Sequence, residues 1–580
     1  MRLSSRRAGY PSAAAPCEDA GAGEPTGSVR VKEKVREAAL TGFVALDRRL
    51  PAAEAAKALL RKAFPDHWTF LLGELALYSF AVLVLTGSYL TLFFDPGMTQ
   101  SVYAGPYEPL RGLRMSQAYL STLDLSFEVR GGLLIRQVHH WAALVFIAAI
   151  AVHMLRVFFT GAFRRPREAN WIVGLTLFVL ALLEGFAGYS LPDDLLSGTG
   201  MRTANTIVMS IPVVGTYLSS FIWRGAFPGH LIIPRLYVVH VLFVPGVLIA
   251  LITVHLILVV YLKHTHWAER GRTNRNAVGQ PMFPQFITKS TGLFLMLFGL
   301  LTALGGLAQI NPVWAYGPYR ADQVATDAQP DWYVGFLEGA LRVMPPWETV
   351  LWGHTFMWNV LIPTVVLPGL LFTGLYLYPF LEKWIAGDRS EHHLADRPRN
   401  QAARTALGVA GIVFYAVLLA AGGNDVIAFS FRVSVNALTW IFRIAVVLGP
   451  VLAFWVTRRI CLALQAHDRR LLAEGHESGN VEQNVQGGLG EGHEALSAAQ
   501  GYRLMVREVP EPLTAPRPRA ELPRRQRLRL ALSSWYYGHR IEVPVTPEQR
   551  RAVEERTAAP IEPEEPGTAA GKGEPAGRGR

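Results

Sequence analysis

The sequence predicts an all-α integral membrane protein with eight transmembrane helices, and three observations carry that prediction. Apolar residues gather in eight runs, at 68–94, 133–160, 171–189, 237–262, 291–308, 350–378, 404–421 and 436–464. Most reach the roughly 20 residues that a helix needs to cross a bilayer. The 580 residues are 51% hydrophobic and only 17% charged, with a mean hydropathy of +0.23. A disordered chain is excluded, and a string of soluble domains is disfavoured. Third, Lys and Arg are unevenly distributed. The loops after the second, fourth and sixth runs hold 13 in 62 residues, and those after the first, third, fifth and seventh hold 9 in 142. The positive-inside rule makes the first set cytoplasmic, with both termini inside.

The runs, numbered α1 to α8, organise the chain. Residues 1–66 form a cytoplasmic segment without a signal-peptide pattern. Within it, 32–64 carry apolar positions at helical spacing, which suits a helix lying on the membrane or an ordinary soluble one equally. A core at 67–290 holds α1–α4, and 291–464 hold α5–α8. The loop after α3 contains an apolar stretch, 205–222, that reads as a re-entrant or surface helix. Residues 465–580 turn rich in Arg, Glu, Pro and Gly and read as a partly disordered cytoplasmic tail, with a docking point at Trp535–Tyr536–Tyr537.

Charge and cysteine content exclude other classes. A net charge of +11 invites a nucleic-acid reading, but the basic residues mark one membrane face. Two cysteines, Cys17 and Cys461, cannot build a disulfide scaffold, a four-cysteine zinc site or an iron–sulfur cluster. No Cys-x-x-Cys-His occurs, which excludes covalent haem.

Histidine spacing carries the chemistry. His139 and His153 lie 14 residues apart on α2, and His240 and His255 lie 15 apart on α4. At about 1.5 Å and 100° per residue, each pair shares roughly one helix face, about 21–22 Å apart. Facing each other, the two helices make two stacked His–His sites, each suited to an iron porphyrin. A lone intramembrane His is more often a packing or proton-relay residue; the two matched pairs favour haem. Gly73 and Gly87 on α1, and Gly174 and Gly188 on α3, repeat the 14-residue step. Glycine lets a flat macrocycle approach the backbone, although small-residue helix packing also uses it. Arg136 and Arg156 flank the α2 histidines by three residues and suit propionate carboxylates, with snorkelling as the alternative for Arg156. His67, His230, His264, His266, His392 and His393 fall at helix ends or in loops and read mostly as solvated or interfacial.

Together these motifs resemble cytochrome b of the quinol–cytochrome c reductases, the bc complexes, over about 65–464. The match includes Arg136-x-x-His139, His153-x-x-Arg156, Trp171-x-x-Gly174, Gly188-Tyr189-x-Leu191-Pro192, Ser210-Ile211-Pro212-x-x-Gly215 and Pro330-Asp331-Trp332-Tyr333. The last is similar to the family's Pro-Glu-Trp-Tyr. The long tail and the Asp variant resemble the high-GC Gram-positive, menaquinol-oxidising branch. The resemblance implies two non-covalent b-type haems in the α1–α4 bundle, the low-potential one on His139/His240 and the high-potential one on His153/His255. It implies quinol oxidation at an outer-face pocket, with Asp331 accepting a proton, Tyr333 as its partner, and Pro330 and Trp332 in the same loop. Asp193 stands where many members have Trp, and with Asp194 gives a more acidic rim. An inner quinone-reducing site is implied near Lys289-Ser290, where the family has Lys-Asp; Lys289, Lys263 or His264 then becomes the proton source. Implied partners are a Rieske iron–sulfur subunit, a cytochrome c-type subunit, a terminal oxidase in a supercomplex and a second copy of the complex, in a bacterial plasma membrane.

Other classes remain open to the residues alone. A di-haem anchor for a dehydrogenase or hydrogenase would keep the four histidines without needing Pro-Asp-Trp-Tyr. A haem-free proton-coupled transporter would use them as a relay. A membrane scaffold leaves them unexplained.

Overall fold

The computed structural model describes residues 41, 52–269, 271–325, 329–506, 511–541 and 548. It divides into two compact units, Met1–Lys62 and Ala63–Arg580. In the first, Ala52–Leu60 is helical; residues 32–40 and 42–51 of the foreseen amphipathic segment lie outside the described residues.

Among its described residues, the second unit contains eight helices long and apolar enough to cross a membrane: α1 Trp68–Leu90, α2 Gly132–Phe159, α3 Glu168–Tyr189, α4 Ile232–Leu262, α5 Met282–Leu307, α6 Trp358–Ala386, α7 Ala402–Gly422 and α8 Val435–Glu474. Their lipid-facing sides stay apolar and uncovered, as a bilayer solvent requires. Three helices depart most from the apolar runs. Residues 350–357 open the sixth run but pair as a hairpin, Glu348–Leu351 against His354–Met357, turned by Trp352 and Gly353 at φ 52° and 75°. α6 therefore starts at Trp358 and continues to Ala386. Its polar end is tolerated because Lys383 pairs with Glu168 at 2.8 Å and Glu382 accepts from Arg404 Nε at 3.0 Å. α5 starts nine residues before its apolar run, which puts Lys289 and Ser290 inside the helix. α8 runs on to Glu474 as a polar extension.

The unequal histidine spacing has a structural answer. His240 sits in a π-turn, Val239–Phe243, at the start of α4. A π-turn takes up one extra residue in a helix. The 15-residue step on α4 thus comes into phase with the 14-residue step on α2.

Loops alternate between two faces. On the face formed after α1, α3, α5 and α7, here the odd-loop face, Ser116 caps the helix Gln117–Phe127 and Asp194 caps Leu195–Met209. The stretch 205–222 becomes the end of that helix and the helix Gly215–Trp223. The even-loop face is tied by Ala63–Phe64 pairing with Gln280–Pro281, and by His266 N–H donating to His393 O at 2.9 Å.

The tail is partly built onto the bundle. Arg524–Tyr537 is a helix whose Tyr536 hydroxyl lies 2.6 Å from that of Tyr378 and donates to Glu382 at 3.2 Å. Trp535 stacks on Phe454. Beneath them the fully buried Arg404 is held between Glu382 and Asp396, the latter at 2.7 Å. A charge buried this deeply needs such paired carboxylates.

Candidate functional site

The bundle brings the four intramembrane histidines together in the two foreseen pairs. The His139 and His240 ring centroids lie 6.2 Å apart, and those of His153 and His255 lie 6.5 Å apart. Metal–imidazole bonds of about 2.0–2.1 Å on both sides, plus the depth of the two rings, place centroids roughly 6–6.5 Å apart. Nδ1 of His139 meets Thr86 Oγ1 at 2.9 Å, and Nδ1 of His240 meets Glu184 Oε1 at 2.9 Å. These bonds leave Nε2 free to ligate a metal in that pair.

The four glycines face the histidines themselves rather than the edge of a macrocycle. A Cβ on Gly73 would lie 3.1 Å from His153 Cε1, on Gly87 3.2 Å from His139 Cε1, and on Gly174 3.5 Å from His255 Cε1. One on Gly188 would collide with His240. At Gly188 only glycine fits, at Gly73 and Gly87 a methyl would be tight, and at Gly174 it would make an ordinary contact.

Arg136 and Arg156 each fit a bound anionic group, at opposite ends of α2. Nε of Arg136, and Nε and Nη2 of Arg156, are buried without a hydrogen-bond partner among the described residues. Arg136 otherwise donates to Asn311 O at 3.2 Å, and Arg156 lies over the Phe70 ring at 3.9 Å. Buried, unsatisfied guanidinium nitrogens are costly without an acceptor. Histidine spacing, glycine clearances and orphaned arginine donors thus fit two bis-histidine haems.

At the odd-loop end, Tyr333 donates its hydroxyl to Asp331 Oδ2 at 3.0 Å, and His140 Nε2 lies 3.6 Å from Asp331 Oδ1. Asp331 caps no helix by its side chain: the following helix, Gly335–Val343, starts at Val334 without a side-chain cap. Burial and the Asp331 charge push the Tyr333 hydroxyl well up, keeping it a donor. Tyr333 packs against Gly185 of α3, and Tyr415 donates to Trp332 O at 3.0 Å. Pro330 leads into this turn. His140 escaped the sequence reading because it adjoins His139, and adjacent helix positions point in different directions. Asp193 and Asp194 are not a solvated acidic rim. Both are buried, Asp194 accepting from Leu196 N–H at 3.2 Å, and burial pushes each up to about 6.

At the even-loop end, Lys289 pairs with Asp66 at 2.7 Å and donates to Gln280 at 3.0 Å. Ser290 turns inward, donating to Glu74 Oε2 at 2.5 Å and contacting the Tyr78 hydroxyl. His264 Nε2 lies 3.3 Å from Val278 O, its ring edge-on to Phe70. Burial pushes His264 and His266 down to about 4. Glu74 was missed because one acid inside an apolar run carries no pattern of its own. His266, His392 and His393 are buried pegs of the loop knot rather than solvated residues. His67 caps the start of the first span, accepting from Thr69 N–H at 3.3 Å.

A transmembrane bundle with two stacked His–His pairs, each set against paired glycines, is the architecture of a cytochrome b. The family profile described as Cytochrome b(N-terminal)/b6/petB matches residues 144–318. The cytochrome bc1 complex cytochrome b subunit of Streptomyces coelicolor is 52% identical over 504 residues, covering 86% of this chain and 92% of that protein. Its counterpart in Mycobacterium leprae is 51% identical over 458 residues, covering 79% and 83%. That of Corynebacterium diphtheriae is 50% identical over 454 residues, covering 78% and 83%. A solved chain from a hyperthermophilic respiratory Complex III shares the fold, with a TM-score of 0.53 at 20% identity over 72% of this chain and 98% of that one. The chain belongs to the family of cytochrome bc1 complex cytochrome b subunits, the membrane component of quinol–cytochrome c oxidoreductases.

Proposed function

We propose that this chain runs both quinone sites of a Q cycle in a bacterial plasma membrane. The even-loop face is cytoplasmic, a reading its Lys/Arg excess supports, and both termini lie inside. His139 and His240 hold the low-potential b haem near the outer face, and His153 and His255 the high-potential one near the cytoplasm. When bound, the two haems supply a one-electron path across the membrane. Arg136 and Arg156 neutralise their carboxylates in a medium that solvates charge poorly.

Menaquinol binds outside, in the pocket of the Pro330–Tyr333 turn. Asp331 accepts a quinol hydroxyl proton, since losing electrons without losing protons would leave a cation in an apolar site. Tyr333, donating to Asp331 at 3.0 Å, holds the carboxylate toward the pocket. One electron leaves to a Rieske iron–sulfur subunit and on to a cytochrome c-type subunit, both separate chains. The second reduces quinone at the inner site around Lys289 and Ser290. The functional unit is a dimer of the complex, and the tail helix at 524–537 offers a surface for a further subunit such as a terminal oxidase.

The observation that carries this proposal is the pair of His–His sites at 6.2 and 6.5 Å. The test is a reduced-minus-oxidised spectrum of the purified complex with a haem-to-chain ratio. Two non-covalent b haems per chain are expected; none, in a folded sample made with haem present, overturns the proposal.

A further inference from the structure

The inner site lacks a carboxylate at position 290, and a serine hydroxyl cannot deliver a proton at neutral pH. The structure brings an acid to that serine from another helix. Ser290 is buried, and its hydroxyl donates to Glu74 Oε2 of α1 at 2.5 Å across the α1–α5 contact. The Tyr78 hydroxyl, one turn along α1, closes on the same serine oxygen. Glu74 follows Gly73, the glycine set against His153, so it sits about 1.5 Å along the helix axis from the level of the second histidine pair. Lys289, next to Ser290 in sequence, pairs with Asp66 at the exposed rim.

An acid within an apolar span is costly and is retained for a partner or a task. Among the described residues no cation pairs with Glu74; its bonded neighbour is a hydroxyl. A structural ion pair therefore does not account for it. We infer that Glu74 is the proton-donating carboxyl of the inner quinone-reducing site, taking the part that position 290 cannot play, with Ser290 and Tyr78 orienting it. This rests on the Q-cycle proposal above.

Reducing quinone to quinol takes two electrons and two protons. The electrons come from quinol oxidised at the outer site. Glu74 breaks its carboxyl O–H bond as a new O–H bond forms on a quinone carbonyl oxygen. The carboxylate is then reprotonated from water at the Lys289–Asp66 rim, and the second proton follows the same route to the other carbonyl.

The test uses the whole complex carrying E74Q, E74D or the exchange E74S/S290D. With the outer site inhibited and the b haems pre-reduced, added quinone reoxidises them, and that rate is measured beside haem content and first-turnover haem reduction by quinol. E74Q is expected to slow reoxidation about a hundredfold, with haem content and quinol-driven reduction unchanged. The exchange, which moves the acid across the Ser290 contact, is expected to recover to within about tenfold of the unmodified rate. E74D, which keeps the acid, is expected to fall by no more than that. Reoxidation at the unmodified rate in E74Q overturns the assignment. So does an exchange that holds both haems yet stays as slow as E74Q. An E74D loss as deep as that of E74Q also overturns it, because packing and not the proton would then decide the rate. If quinone fails to reoxidise the haems of the unmodified complex, the Q-cycle proposal itself falls, and the two failures are distinguishable.

Discussion

The two ends of the α1–α4 bundle share one ring geometry but hold it differently. At the odd-loop end, both histidines are oriented by hydrogen bonds: His139 by Thr86 at 2.9 Å and His240 by Glu184 at 2.9 Å. At the even-loop end, His153 Nδ1 is buried without a partner among the described residues, and its ring is fixed by the close backbone of Gly73. The acids differ in the same way. Asp331 reaches its site from a loop and leans on Tyr333, whereas Glu74 projects from a membrane helix onto a serine hydroxyl. The same pair of imidazoles can thus be positioned by second-layer bonds or by packing, and the two should respond differently to mutation.

The largest break expected is His240→Leu, which should remove the spectrum of one haem completely while the chain still inserts. Two haem signals in that variant would refute the ligand assignment. Next is Asp331→Asn, expected to slow quinol oxidation by on the order of a hundredfold or more with both haems bound. Unchanged turnover in steady-state quinol assays would take Asp331 out of the proton path.

A smaller effect separates the ends through their glycines. A methyl on Gly188 collides with His240, whereas one on Gly174 meets His255 at an ordinary 3.5 Å. Gly188→Ala should deplete the first haem by roughly tenfold or more in affinity, the range seen for disturbed ligand orientation; Gly174→Ala should stay near normal. Equal haem content in the two variants would erase the distinction.

The smallest effect is a pH response of opposite sign at the two faces. His264 and His266 are pushed down to about 4 by burial. Their stabilising contribution is present above the unfolded value of about 6.5 and is lost as pH falls from there toward 4. Asp193 and Asp194 are pushed up to about 6. Their contribution is present below about 4 and is lost as pH rises through 6. Hydrogen exchange between pH 6.5 and 4 should therefore show 264–269 and 271–278 loosening and 193–198 tightening on acidification. Parallel changes at both faces would contradict the burial of one set.

Much of this was readable from the amino acids. Apolar run length needs only local composition, so the number of spans and their alternation followed directly. The histidine and glycine repeats are properties of one helix at a time, and they located both pairs before any packing was known. Span ends were less readable. α6 shifted because a hairpin competed for its first apolar residues, and its far end is held by Glu168 and Arg404, distant in sequence.

What the sequence by itself determined is the membrane class, the eight spans and the two histidine pairs, because bilayer thickness and helical pitch act on neighbours along the chain. Only the tertiary structure decided which groups meet across helices. These are His140 at Asp331, Glu74 at Ser290, Glu184 at His240, and the tail's Tyr536 at Glu382. Such meetings depend on the rotation and depth of each helix against its neighbours, and on a π-turn that shifts the phase of α4 by one residue. No spacing along the chain encodes those quantities.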